Sequence, residues 1–256
     1  MFKQEYGLVC GVAQKKLAFL KTDKVGYFAS SVLAGVFVGL GVIVVLMIAK
    51  VMSGYQGITI LQGATFAAAL SLIVFAGAEL FTGNVFVLTA GLLQGKVEPG
   101  GAVRLWLFCY FGNFVGSVLI AALFVGTGLF AEQIPYLVES TVRSKTVPSL
   151  GALFVRGILC NILVCAATWC SYKIKSEAGK LIMIFWCIYL FVVSGFEHSI
   201  ANMTYFSLRV FGGADGAVFL AMSRNLLAST LGNFAGGALL ALAYWLMGRN
   251  EDSAAH

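Results

Sequence analysis

The chain repeats itself inside its apolar segments, and that repeat is the strongest constraint on its fold. The stretch G-A-E-L-F-T-G-N, Gly77 to Asn84, shares the pattern G-x-E-x-x-x-x-N with G-F-E-H-S-I-A-N, Gly195 to Asn202. Downstream, G-N-F-V-G at Gly112–Gly116 is matched by G-N-F-A-G at Gly232–Gly236. The Glu-to-Asn separations are 34 and 36 residues. Two ordered matches at nearly equal spacing divide the chain into related halves, about 25–131 and 148–248. Each half carries three apolar spans. An odd number of crossings turns the second half over relative to the first, a plan used by transporters and channels.

The spans follow from charge-free length. Val25–Ala49, Leu105–Ala131, Asn225–Gly248 and Leu150–Tyr172, the last with only Arg156 near its start, are each long enough to cross a hydrocarbon core of ~30 Å. Ile58–Gly95 is different: as one straight helix it would be about 57 Å long, and it is too short for two full spans. One span interrupted near its middle fits, and Leu181–Leu208, broken by Glu197 and His198, reads the same way. The expected fold is an all-α membrane protein with six transmembrane helices. It is an inverted 3+3 repeat in which helices 2 and 5 are interrupted. The expected layout is a basic cytoplasmic N-terminal segment (1–24), a first three-helix repeat (25–131), an extracytoplasmic connecting loop (132–147), a second, inverted repeat (148–248) and a cytoplasmic tail (249–256).

Composition agrees. The chain is 60% hydrophobic and 11% charged, where soluble domains are about 45–50% and about 25%. Its mean hydropathy is +0.92. Soluble and disordered classes are excluded. The net charge of +6 comes from Lys and Arg at span ends rather than from a nucleic-acid patch. With both termini on one side, that side holds eleven of these cations and the other four, which places the termini in the cytoplasm. The N-terminal segment carries five Lys and no signal-peptide core. Six cysteines contain no CxxC, and Cys160, Cys165 and Cys170 spread around one helix. No metal site or other cofactor is expected, and the cysteines read as small apolar fillers.

Ionisable groups deep in a membrane cost roughly 2.5–3.5 kcal/mol on insertion scales, so each is a functional candidate. Glu79, Glu197 and His198 qualify. The two carboxylates hold equivalent repeat positions, which favours a structural reading as caps for loose amides at the helix breaks. His198 has no such partner, because its counterpart is Leu80. An asymmetric titratable ring in a symmetric scaffold favours a pore role over a packed, hydrogen-bonded histidine. Thr82, in the first break, either binds substrate or caps the next half-helix. The N-terminus of each half-helix favours an anion. Asn161, Asn202 and Asn233 either join a pore network or tie helices together. Gly35-x-x-x-Gly39 and Gly112-x-x-x-Gly116 read as close helix contacts. Phe66, Leu70, Leu80 and Phe191 lie near the breaks, where apolar rings can gate, although periodicity alone favours lipid or core packing.

With these residues in place, A-E-L-F-T-G-N at Ala78–Asn84, F-E-H-S-I-A-N-M at Phe196–Met203 and the C-terminal G-N-F-A-G resemble the formate/nitrite transporter family over essentially the whole chain. The resemblance implies an aquaporin-like fold, a homopentamer and one pore per protomer in a bacterial inner membrane. It implies two apolar constrictions built from Phe66, Leu70, Leu80 and Phe191, flanking a polar chamber with Thr82, His198 and Asn161. Asn233 matches a position near the pore. Glu79–Gly83 would help gate the cytoplasmic side, and either Lys15 or Lys16 would stand at the cytoplasmic entrance. S-I-A-N-M-T, the aromatic-rich Y-F-S-L-R-V-F-G and F-T-G resemble the nitrite branch most. The implied partners are a small monovalent anion, a proton and the lipid bilayer; no nucleic acid is implied.

Formate and hydrosulfide channels of the same family remain alternatives. An aquaporin-type neutral-solute channel is more remote, because its half-helices begin Asn-Pro-Ala and Pro99, Pro135 and Pro148 lie at neither break. A membrane enzyme would need clustered catalytic groups, and no CxxC, HExxH or nucleotide loop is present. For a weak acid, the neutral form passes an apolar gate far more cheaply than the bare anion. Proton-coupled permeation at low pH is therefore expected, with leakier anion flux at higher pH.

Overall fold

Both motif-bearing stretches break at a glycine. In the computed structural model, which describes residues 2–131 and 133–249, Gly77 has φ +78° and Gly195 has φ +69°. Side chains with a Cβ rarely adopt that left-handed backbone. Helix α3 (Ile58–Ala76) stops there, the chain runs extended through Leu80, and α4 (Phe81–Leu93) begins. The second break is built the same way, from α8 (Glu177–Val193) through extended His198 to α9 (Ser199–Phe211).

Around these pairs stand α2 (Lys24–Val51), α5 (Pro99–Gly126), α7 (Leu150–Lys173) and α10 (Gly216–Arg249). The packing is paired: α2 lies on α5 and α7 on α10, α3 meets α8, α4 crosses to α10 and α9 crosses to α5. Small residues permit the closest of these approaches. A Cβ on Gly116 would strike the Val32 backbone, and one on Gly236 the Ile158 backbone. Among the described residues five helices, α2, α3, α5, α7 and α10, are long and apolar enough to cross a membrane. Among the described residues there is no strand.

Four elements differ from the sequence reading. The N-terminal segment is a helix, α1 (Lys3–Thr22), whose Tyr6, Val9, Cys10, Ala13 and Leu20 form one buried stripe at helical spacing. The stretch expected as a connecting loop contains α6 (Ile134–Thr146), which buries Ile134, Val138 and Val142 at four-residue intervals. Its polar residues conceal it because they occupy the remaining face. Helix α5 starts at Pro99, not Leu105, with Pro at its first position. Arg104 is carried within it, exposed, so a charge did not end the helix. Likewise α10 begins at Gly216, ahead of Arg224. Of the expected tail 249–256, Arg249 ends α10 and residues 250–256 lie outside the described part.

Candidate functional site

Each break is held by an asparagine from a neighbouring unbroken helix. Asn113 on α5 accepts from Phe81 N–H at 2.9 Å and donates to the carbonyls of Ser31 (2.7 Å) and Glu79 (2.9 Å). Asn233 on α10 repeats this set, accepting from Ser199 N–H at 2.9 Å and donating to Gly157 (2.9 Å) and Glu197 (2.8 Å). These bonds satisfy backbone groups that the breaks expose, which apolar surroundings require. They also occupy the first amide of each half-helix, one of the donors expected to face an anion.

The carboxylates are not amide caps. Glu79 accepts from Lys16 Nζ at 2.6 Å, from the Tyr27 hydroxyl at 3.0 Å and from Asn84 at 2.9 Å. Glu197 accepts from Lys145 Nζ at 3.3 Å, and from Asn202 and Asn225. Both carboxylates are therefore held by side chains, in a lysine–glutamate–asparagine arrangement that recurs at both ends of the repeat. The Asn225 amide also donates to the Lys145 carbonyl at 2.7 Å, tying α6 to α10. Burial by itself disfavours the Lys16 ammonium, but the Glu79 carboxylate outweighs it, and the lysine pKa is raised above its ordinary value. Lys16 is thus charged throughout the neutral range.

At the residue just before each half-helix the two breaks part company. Leu80 caps α4 without a side-chain hydrogen bond, whereas His198 Nδ1 accepts the Ala201 N–H at 3.1 Å. An accepting Nδ1 puts the neutral ring's proton on Nε2. That nitrogen lies 3.2 Å from Thr82 Oγ1. The ring gains a second proton only if Nδ1 gives up the Ala201 bond. His198 also stacks on Phe191, centroids 5.9 Å apart, and Phe191 meets Phe66 edge-on at 5.9 Å.

Three cavities line up along these residues. One of about 460 Å³ is walled by Lys16, Glu79, Leu80, Leu70, Thr168 and Tyr172, among others. A second of about 300 Å³ is walled by Lys145, Arg156, Glu197, His198, Phe66 and Phe191, among others. Between them lies a pocket of only about 10 Å³, which shares Leu70, Ile73 and Leu80 with the first and Phe66, Phe191 and His198 with the second. Its remaining walls are Val38, Ala69, Val164 and Ile188. So small a space holds about one water.

The structure brings together Phe66, Leu70, Leu80, Phe191 and His198 as one narrow passage. Thr82 reaches it through His198, and its carbonyl accepts from Asn161 at 3.2 Å and from Cys165. Asn161 and Asn233 do not wall these three cavities; Asn161 also donates to the Asn233 carbonyl. Of the two candidate entrance lysines, Lys16 lines a cavity and Lys15 is exposed. Sequence reasoning missed Lys145, Tyr27 and Asn225. Lys145 sits on a helix that reads as a polar loop, and nothing in its local sequence marks it. Asn84 carried a signal, since it closes the same motif as Asn202. Among the described residues no cluster of His, Cys, Asp and Glu suits a metal ion.

Comparison with known proteins bears on this arrangement. The sequence profile described as Formate/nitrite transporter matches residues 4–246. The chain is 39% identical to the Nitrite transporter NirC of Escherichia coli (strain K12), over 92% of this chain and 89% of that protein. It is 32% identical to the Formate channel BtFdhC of Bacillus thuringiensis, over 86% of each. A solved structure described as an FNT family ion channel superposes with a TM-score of 0.91 at 34% identity, covering 96% of this chain and 99% of that one. Another, described as a pentameric formate channel with formate bound, gives 0.75 at 28%, covering 87% and 96%.

Proposed function

The chain belongs to the formate/nitrite transporter family, whose matched members are transporters and channels rather than enzymes, and from that premise we propose that it conducts nitrite as a proton-linked weak acid. Each protomer of a homopentamer carries its own pore. Six crossings in an inverted 3+3 arrangement put both termini on one side, and the excess of Lys and Arg on that side supports its being the cytoplasm of a bacterial cell, with the protein in the inner membrane. The observation that carries the reading is the row of cavities ending on a lysine–glutamate pair at one end and another at the other, joined only through an apolar neck that His198 enters.

The geometry suggests a division of labour. Lys16 and Lys145 raise the local concentration of a monovalent anion in the two outer cavities, as focused charge does. The neck of Leu70, Leu80, Phe66 and Phe191 opposes a bare anion, whose transfer into apolar surroundings without compensation is very costly. His198 carries its Nε2–H at the neck, where it donates to Thr82 Oγ1 and would transfer that bond to a permeating anion. In its neutral form it donates a hydrogen bond. Protonated, after release of the Ala201 amide, it donates the proton that turns the anion into a neutral acid. Asn161 and Asn233 hold the breaks in place around it. The pentamer of the formate-bound neighbour and the higher identity to the nitrite transporter support the assembly and the substrate. Formate is the second reading, favoured by the formate channels among the matched relatives. Competition uptake of nitrite, formate and hydrosulfide into proteoliposomes at two pH values tests both. Nitrite uptake that resists competition by the other two and rises as pH falls is expected; preferential formate uptake overturns the substrate.

A further inference from the structure

A fourth cavity, of about 400 Å³, lies apart from the neck, between the end of α1 and the start of α5. Three cations surround it: Lys21 in the last turn of α1, Lys96 in the α4–α5 turn, and Arg104 on α5, with Glu98 as the single acid. None of the three cations forms an ion pair among the described residues. Glu98 precedes α5 but makes no side-chain cap to it, so the first turn, with Gly101 on the cavity wall, offers its positive end uncapped. The floor is apolar, formed by Leu17, Leu20 and Val97. Below Arg104 on the same helix, Leu107, Phe111 and Phe114 are exposed at helical spacing. A cationic socket thus sits at the end of an apolar ridge.

We propose that this socket binds the phosphate of an anionic phospholipid, with an acyl chain lying along Leu107, Phe111 and Phe114. The charge is of the right sign, the cavity stands where the spanning helix α5 meets the membrane surface, and the ridge continues into the hydrocarbon. A zwitterionic headgroup lacks the net charge the three cations call for. Basic pockets at the ends of membrane helices bind anionic headgroups by this chemistry. The inference rests on the transmembrane reading above but not on the substrate or on proton coupling. Its test reads binding without transport, so the two can fail separately.

The protein is purified in detergent and titrated with phosphatidylglycerol or phosphatidylethanolamine, and bound lipid is counted by native mass spectrometry. Wild-type protein should retain phosphatidylglycerol about a hundredfold better than phosphatidylethanolamine, each of the three cations contributing roughly fivefold. The triple variant Lys21→Gln/Lys96→Gln/Arg104→Gln should lose that preference. The charge-matched control Lys15→Gln/Lys173→Gln/Lys175→Gln should keep it. Inorganic phosphate in excess should leave the lipid bound. If the triple variant does not fold, Arg104→Gln alone should still weaken retention about fivefold, with Arg104→Lys restoring much of it. Three results overturn the proposal: equal retention by the two triple variants, displacement of lipid by inorganic phosphate, and loss of subunit assembly with lipid preference unchanged.

Discussion

The two helix breaks are built from the same parts up to the residue that precedes each half-helix. Gly77 and Gly195 turn the chain, Asn113 and Asn233 make matching sets of three hydrogen bonds, and Glu79 and Glu197 each hold a lysine and an asparagine. Then Leu80 stands where His198 stands in the other. The shared parts satisfy backbone in an apolar interior and are needed twice. The histidine is needed once, and it is the only titratable side chain in the wall of the neck. What is duplicated holds the scaffold, and the proposed selection rests on what is unmatched.

The largest expected effect tests the duplicated part. Asn113→Leu and Asn233→Leu each strand buried backbone groups, at about 1–3 kcal/mol per unsatisfied group. Both should abolish assembled protein on size exclusion to a similar degree. If one assembles normally, the two breaks are not equivalent.

A second comparison separates the lysines. Glu197 is 3% exposed and Glu79 13%. Stranding the more buried carboxylate is expected to cost more, so Lys145→Met should destabilise by about 3–5 kcal/mol, and Lys16→Met by less. Thermal unfolding in detergent ranks them; the reverse order breaks the argument from burial.

The pH behaviour of these pairs gives a smaller, sharper test. The Lys16 pKa is raised. Its stabilisation is therefore complete below the unfolded value, about 10.4, and is lost only as pH rises through the higher folded value. Between about pH 5 and 8 it is constant, so Lys16→Met should change flux while leaving the shape of the pH profile intact. A flattened profile would move the titrating role away from His198. The smallest effect is expected of Thr82→Val, which removes a partner of His198 that does not itself titrate. Uptake should fall a few-fold with its pH dependence preserved; complete loss of that dependence would make the hydroxyl part of the proton path.

Much of this was legible beforehand. The repeat, both interruptions and the asymmetry of Leu80 and His198 are written in short motifs whose spacing the fold preserves. The role of the asparagines was open in the sequence: Asn233 was expected near the pore and is found holding the break, as Asn113 does, because a side chain amide can be satisfied equally by substrate or by backbone. The carboxylates read as amide caps, and instead bind lysines that lie 63 and 52 residues away. No local pattern reveals such partners. Helices α1 and α6 were read as a basic N-terminal segment and a connecting loop because their buried stripes are narrow and their other faces polar. Lys145 was missed with α6, since only a packed α6 carries it to Glu197.

The central claim is that the unmatched histidine, not the shared scaffold, links transport to protons. His198→Asn isolates it, because asparagine is a good N-cap and can keep the bond to the Ala201 amide but does not titrate. Nitrite uptake into proteoliposomes should be measured across pH for wild type and His198→Asn, each first shown to be assembled. Wild-type uptake should rise as pH falls, and His198→Asn uptake should be nearly independent of pH. A well-assembled His198→Asn protein with the wild-type profile would contradict the claim.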